Sequence, residues 1–178
     1  MDRKDERTFR NHWYPMSNIA RSISHGLRKW RQWSWGERWL AFQALALLPL
    51  VALAVRLFGY QRVRACLAWT LPNLPHSEGN YGSEPGDVQQ ALTIGRLVNG
   101  AARRGLFRAN CLSRSLVVWR LLGRRGIASE VVIGAQVEQS EFRAHAWVEC
   151  QQQVVNDRPD IAEQFRPFAM PAQLRRLA

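Results

Sequence analysis

Residues 111–157 have the sequence CLSRSLVVWRLLGRRGIASEVVIGAQVEQSEFRAHAWVECQQQVVND, in which a helical pattern gives way to extended patterns. From Cys111 onward, apolar residues recur with helical spacing as far as a cluster of glycines and arginines. Residues 130–138 are rich in β-branched residues, residues 142–150 alternate between apolar and polar, and residues 152–155 predict a third strand. A helix followed by consecutive strands is typical of an α+β fold with an antiparallel sheet.

The segments that precede this stretch predict further helices. Residues 86–104 carry apolar side chains on one helical face and end at Gly105, and residues 60–71 have a similar pattern. Between these two helices, residues 72–86 concentrate Pro, Gly, Asn and Ser, which predicts a loop. A boundary near residue 75 follows.

Residues 39–55 (WLAFQALALLPLVALAV) form an apolar run of 17 residues without a charge. A helix that spans a bilayer needs roughly 20 such residues. The run is shorter and contains Pro49, which favours a helix that is buried or covered by a partner. A membrane contact through residues 39–58 remains an alternative.

Charge and tryptophan content divide the chain into a front and a back. Residues 1–75 hold 12 Lys and Arg against 4 Asp and Glu, whereas residues 76–178 hold 13 against 10. We therefore predict a basic, Trp-rich and partly disordered arm at 1–36, a helical region for partner docking at 37–75, and a catalytic domain at 76–178. A hydrophobic content of 47% excludes wholesale disorder, and the net charge of +11 favours an acidic partner.

The cysteines favour a reducing compartment over an oxidising one. There are three, with no CxxC pair, which is a poor basis for disulfides or a zinc site. The first 15 residues are polar and charged, without the apolar stretch of a secretory signal. These features predict a cytoplasmic protein.

Three residues stand out by their order along the chain: Cys111, His145 and Asp157. Asn110 is a good helix N-cap, which would place Cys111 in the first turn, where the helix dipole favours a thiolate. A nearby imidazolium would favour the thiolate further, and His145 is the histidine within the predicted sheet. Each residue alone is more often structural, so only the ordered set indicates a nucleophile with its base.

A third group usually orients the imidazole through a carboxylate or amide oxygen. Asp157 follows the strand after His145 and is the preferred candidate, with Asn156 and Asp160 as weaker ones. Cys66 and Cys150 are predicted to be structural, since one lies in an apolar helix and the other at a strand end.

These residues resemble a known family. The run from Cys111 to Asp157, with its motifs Cys-Leu, Arg-Arg-Gly-Ile, Ile-Gly and Ala-His-Ala-Trp-Val-Glu, resembles the leader peptidase of lasso peptide biosynthesis, the B protein. That family belongs to the transglutaminase-like, papain-related cysteine proteases. The resemblance extends over roughly residues 28–165.

The resemblance implies a mechanism and a set of partners. Cys111 would be the nucleophile, His145 the general base and then acid, and Asp157 the orienting partner. The substrate would be a ribosomally made precursor peptide, cut between leader and core without a metal or other cofactor. A leader-recognition protein and an ATP-dependent lasso cyclase would act with it. The recognition protein would be a separate chain, because residues 1–75 lack the strand patterns of a fused recognition domain.

Substrate contacts are less well defined by the sequence. Arg108 and Arg114 flank the nucleophile, and Trp147 shares the strand of the histidine, so these three are candidate substrate-binding residues. An oxyanion hole needs a second donor beside the nucleophile's own N–H. Gln89 and Gln90 are weak candidates for that donor.

Two other functions are alternatives to the leader peptidase. A transglutaminase-like acyl or amide transferase would need the same Cys–His–Asp set. A non-catalytic, membrane-associated or scaffold subunit of a peptide-modifying complex would need none of it. A nucleic-acid binder is disfavoured, because no recognised motif accompanies the basic residues.

Overall fold

The structure, a computed structural model, describes residues 34–71, 85–105, 109–138 and 141–168. The chain divides into two compact units, Met1–Arg38 and Trp39–Ala178. Nearly all of the predicted arm, most of the predicted loop at 72–86 and the boundary near residue 75 lie outside the described residues. The division into three regions therefore stays a prediction.

Among the described elements, helices come first and strands follow, as the sequence predicted. In chain order they are α1 (Trp35–Phe58), α2 (Tyr60–Trp69), α3 (Pro85–Arg104), α4 (Cys111–Gly123), β1 (Glu130–Glu138), β2 (Glu141–Cys150), β3 (Gln153–Val154), α5 (Ile161–Gln164) and β4 (Arg166–Pro167). The fold is α+β with an antiparallel sheet, and this prediction is confirmed.

Helix α1 contains the apolar run and continues through Pro49. A reciprocal capping box begins it, since Ser34 N donates to Glu37 Oε2 at 2.8 Å and Glu37 N donates to Ser34 Oγ at 3.2 Å. One face is buried, and the other exposes large apolar side chains. The buried residues are Leu40, Ala41, Ala44, Leu48 and Val51; the exposed ones include Trp39, Phe42, Leu50, Leu53 and Leu57. By length and composition α1 could cross a membrane, a test that core helices of soluble proteins also pass.

Helix α2 packs against α4, the helix that begins with Cys111. The Arg64 guanidinium lies 5.7 Å from the centre of the Trp119 ring. Gly123, at the end of α4, lies so close to Leu71 that an added Cβ would come within 2.8 Å of Leu71 Cδ1. The front helices from Trp39 on therefore share one compact unit with α4.

The sheet has the strand order β3-β2-β1-β4, with every pair antiparallel. Strand β1 pairs with β2 along its whole length, and Gly134 lies opposite His145. The sequence pattern did not predict β4, because two residues are too few to give a period.

The predicted third strand at 152–155 is too long. Gln151 and Gln152 have φ values of 50° and 62° and form a two-residue turn, so that β3 begins at Gln153. Such a turn favours Asn and Gly. The two glutamines gave no turn signal, which is why the sequence suggested a strand.

Both faces of β2 are covered at its Cys150 end. Ala146, Trp147 and Val148 are all buried. On one side α4 packs against β2, and α3 packs against α4. Trp147 also joins Val154 and Ile161 in a small core, against which Val132 and Phe165 pack.

Candidate active site

His145 and Asp157, which the sequence singled out, are in direct contact. His145 Nε2 lies 2.9 Å from Asp157 Oδ2, and the two side chains are 20% and 21% exposed. The second carboxylate oxygen, Oδ1, accepts a hydrogen bond from the Arg158 backbone N–H at 2.9 Å. The carboxylate is thus held from both sides.

This contact decides which ring nitrogen is the base. An ionised carboxylate only accepts hydrogen bonds, so Nε2 must carry a proton. In the neutral imidazole the other nitrogen, Nδ1, then has the lone pair. Nδ1 is therefore the atom of His145 that can take a proton from a nucleophile.

Two aromatic rings hold the imidazole. The Phe165 ring centre lies 5.2 Å from that of His145, and the Trp147 ring centre lies 6.4 Å away at an interplanar angle of 19°. Trp147 Nε1 donates to Glu149 Oε1 at 2.7 Å. Trp147 is completely buried, so its side chain supports His145 from within the core and offers no surface to a peptide.

Gly134 makes room for these rings. A Cβ at this position would come within 2.8 Å of Trp147 Cη2 and 3.0 Å of Phe165 Cβ. A side chain at this position would press on the Trp147 ring, on the start of the Phe165 side chain and on the Arg166 carbonyl oxygen, which would lie 3.0 Å from the Cβ. The Ile-Gly motif on which the family resemblance partly depends thus has a steric reason here.

Cys111 is the first residue of α4 and is half-buried. Asn110 caps the helix as predicted, and its side-chain oxygen accepts a hydrogen bond from Ser113 N at 2.8 Å. The thiol is free. At this end of a helix the backbone N–H groups and the dipole favour a negative charge.

Helix α4 is fixed to β2 one residue away from His145. Ser115, one helical turn after Cys111, donates its hydroxyl proton to the carbonyl oxygen of Ala146 at 3.0 Å. Four residues of helix correspond to about 6 Å of rise. The start of α4 and the middle of β2 therefore belong to one region of the molecule.

The weaker orienting candidates lie elsewhere. The Asn156 side chain turns to Ser115 and to the Val148 backbone, at 3.0 and 2.7 Å. Asp160 Oδ2 accepts from Gln164 at 2.7 Å, and its Oδ1 lies 3.7 Å from Arg158 Nε. Asp157 is the one of the three that contacts His145.

The other two cysteines differ from Cys111 and from each other. Cys150 is fully buried, and burial, with a smaller contribution from Asp87, raises the pKa of its thiol. Cys66 is exposed on α2. Among the described residues, no group of three or more His, Cys, Asp and Glu side chains could hold a metal ion.

The remaining candidates are placed as follows. Arg114 is half-buried, and its Nη1 lies 3.4 Å from Asn99 Oδ1. Arg108 lies outside the described residues. Gln89 and Gln90 are exposed on the first half of α3.

Sequence reasoning missed Phe165 and the close contact at Gly95. An added Cβ on Gly95 would overlap the Val155 carbonyl oxygen, just before Asp157. A glycine on the apolar face of the predicted helix at 86–104 is the one sequence signal that could have indicated close packing there. Phe165 reaches His145 through the unpredicted β4 connection, so no local pattern marks it.

Comparison with known proteins identifies the family. Residues 45–170 match the transglutaminase-like superfamily, and the chain belongs to it. That range contains Cys111, His145 and Asp157.

A curated relative, the microcin J25-processing protein McjB of Escherichia coli, is 34% identical over 64 residues. The matched segment is 36% of this chain and 30% of that protein. The predicted resemblance to the lasso peptide B protein is confirmed by these two findings. No solved structure matches the chain.

Proposed function

We propose that the protein is a cysteine endopeptidase that removes the leader from a ribosomally made lasso precursor peptide. The observation that carries the proposal is the 2.9 Å contact between His145 Nε2 and Asp157 Oδ2, near a helix that begins with a half-buried free cysteine. The similarity to a microcin J25-processing protein supports the choice of substrate class.

In the first half of the reaction, Nδ1 of His145 takes the proton of the Cys111 thiol. The thiolate then attacks the carbonyl carbon of the bond between leader and core. The tetrahedral intermediate collapses when the imidazolium gives its proton to the leaving amine of the core. The leader is left as a thioester on Cys111.

In the second half, His145 removes a proton from water, which attacks the thioester carbonyl. The leader leaves with a new carboxylate, and the thiolate is regenerated. Asp157 stays ionised and holds Nε2–H throughout, which stabilises the imidazolium without taking its proton. The backbone N–H of Cys111 is one donor for the oxyanion.

The partners proposed are a separate leader-recognition protein and an ATP-dependent cyclase that closes the freed core amine. The exposed apolar face of α1 is a surface that such a partner could cover. We propose a cytoplasmic location, with membrane contact through the same helix as the alternative.

An acyl or amide transferase is the second candidate, because the superfamily and the same triad serve that reaction equally. The two reactions differ in what attacks the thioester: water in a peptidase, an amine in a transferase.

Digestion in ¹⁸O-labelled water tests the proposed function. The purified protein is incubated with a leader-bearing precursor peptide from its source organism, with and without the recognition protein. We expect free leader that carries one ¹⁸O atom in its new carboxylate, and a core with a free amine. A new amide without ¹⁸O would instead establish the transferase, and an intact peptide under both conditions would contradict both.

The Asp157→Asn variant is expected to lose about 100-fold in the rate of leader removal, toward the lower end of what general acid–base catalysis contributes. Asp157 accepts from both His145 Nε2–H and the Arg158 backbone N–H, whereas an asparagine has a single acceptor oxygen, so one of these bonds is lost together with the charge that stabilises the imidazolium. The rate constant for cleavage under saturating peptide is the measurement.

Glu149→Ala is the matched control for Asp157→Asn. Glu149 is half-buried on the same strand as His145, but its carboxylate accepts from Trp147. We expect little change in the cleavage rate. An inactive but folded Glu149→Ala protein would mean that Glu149, and not Asp157, is the acid of the site.

A further inference from the structure

A buried hydrogen-bond network lies directly behind the candidate active site. Its centre is Asn156, which is 4% exposed. The side-chain oxygen accepts from Val148 N at 2.7 Å, and the side-chain nitrogen donates to Ser115 Oγ at 3.0 Å. The backbone carbonyl of Asn156 accepts from Asn99 Nδ2 at 2.6 Å. One residue thus joins α3, α4 and β2.

The direction of each hydrogen bond in the network follows from its partners. Val148 offers an N–H, so the atom of Asn156 that faces it must be the amide oxygen. The amide nitrogen is then the donor to Ser115. The Ser115 hydroxyl, having accepted there, gives its own proton to the Ala146 carbonyl at 3.0 Å. Each of these hydrogen bonds therefore joins a donor to an acceptor.

Beyond the end of β3, the network supplies the hydrogen-bond partners for the backbone at the edge of β2. Val155 N still donates to the Val148 carbonyl at 3.0 Å, in the manner of a strand. The Asn156 side chain then takes the Val148 N–H, and Ser115 takes the next outward-facing carbonyl, that of Ala146. The side chains of Asn156 and Ser115 therefore take the place of a neighbouring strand's backbone in bonding this edge of β2. The main chain after Val155 is then free to leave the sheet and to place Asp157 beside His145.

Three members of the network each lie close in sequence to one residue of the triad. Ser115 follows Cys111 by one helical turn, Ala146 follows His145 directly, and Asn156 precedes Asp157 directly. Short covalent links of this kind leave little freedom between the network and the three reactive groups. Fixed geometry matters because reacting groups that are displaced by about 1 Å lose about 100-fold in rate.

We propose that Asn156 and Ser115 are positioning residues that set the geometry of Cys111 relative to His145 and Asp157. The proposal rests on the proposed function of the triad. It predicts that the network controls the reactivity of the Cys111 thiolate, in addition to any contribution to folding.

The experiment measures alkylation of Cys111 by iodoacetamide between pH 5 and pH 9, resolved by site with mass spectrometry. Ser115→Ala removes the hydroxyl, Ser115→Thr keeps it, and Asn156→Ala removes the centre of the network. Val117→Ala is the matched control, because Val117 is fully buried on the same helix but has an apolar side chain outside the network. Circular dichroism establishes that each variant is folded.

We expect Ser115→Ala and Asn156→Ala to slow the alkylation of Cys111 at pH 6 at least tenfold, with the pH profile moved upward. Ser115→Thr and Val117→Ala should stay within about threefold of wild type. Should Asn156→Ala fail to fold, Ser115→Ala decides the outcome.

Three results would overturn the proposal: a wild-type profile in folded Ser115→Ala, an equal loss in Val117→Ala, or a Ser115→Ala protein that fails to fold while Val117→Ala folds. The last would mean that the network holds the fold and not the site. Failure of the proposed function is distinguishable: without a triad, wild-type Cys111 would show no reactivity that depends on His145, and a transferase would be revealed by the digestion in ¹⁸O-labelled water.

Discussion

Replacing Cys111 with alanine should lower the rate of leader removal by at least about 10⁴-fold, since loss of the nucleophile from a serine protease triad costs about 10⁶-fold. Without the thiol no thioester forms, and the reaction cannot be divided into two steps. His145→Ala should lose a similar factor, since the thiol then has no base and the leaving amine no acid.

The double variant should be no slower than either single variant. Residues that act as one unit lose their whole contribution when one is removed, so their effects do not add. The measurement is release of leader and core by mass spectrometry, with single-turnover conditions for the slow proteins.

The control is Cys66→Ala, which removes an exposed thiol on α2. It should cleave at the wild-type rate. Leader removal that continues in a folded Cys111→Ala protein would exclude the cysteine peptidase, and equal activity of wild type and His145→Ala would exclude the base.

Substituting Gly95 with alanine should destabilise the protein by about 3 kcal/mol, at the upper end of what overpacking costs. The new Cβ would overlap the Val155 carbonyl oxygen and approach the Val155 carbonyl carbon to 2.8 Å and Asn156 Cα to 3.1 Å. All three are backbone atoms, which cannot turn aside as a side chain can. Either α3 or the segment that leads into Asp157 must move.

Gly100→Ala, on the same helix, is the matched control. There a Cβ would meet only the flexible end of Arg104, at 3.4 Å from Nη1. Alanine is favoured over glycine inside a helix by about 1 kcal/mol, so this variant should be slightly more stable than wild type. Midpoints of urea unfolding measure both, and equal stability of the two variants would show that α3 does not contact the Val155 backbone as described.

Gly95→Ala should also impair cleavage in whatever fraction stays folded. The displaced segment carries Asn156, which is bonded to Ser115 and Val148, and Asp157, which is bonded to His145. Activity per folded molecule should therefore fall, whereas in Gly100→Ala it should not.

Local patterns were sufficient where a residue's role depends on its own element. The β-branched residues of 130–138 predicted β1 to the residue, and Asn110 predicted the start of α4 at Cys111. The pairing of His145 with Asp157 followed from their spacing across a hairpin, which is a local relation as well.

Local patterns failed where distant segments meet. Position 95 accommodates only glycine because the Val155 backbone lies against it. Phe165 contacts His145 and directly precedes β4, a strand of two residues. Trp147 shares a strand and a strand face with His145, and it was therefore predicted as a candidate substrate-binding residue. It is buried because α5 and Phe165 cover that face of the sheet, and nothing within the strand indicates that cover.

Alkylation of the three cysteines across pH 5 to 9 tests the central claim most directly, because it needs no substrate. Exposed Cys66 is the internal reference, and buried Cys150, whose pKa is raised, should stay unmodified while the protein is folded. We predict that at pH 6 Cys111 reacts at least tenfold faster than Cys66, and that His145→Ala removes this advantage. A Cys111 that reacts no faster than Cys66, or equally fast without His145, would contradict the thiolate–imidazolium pair on which the account depends.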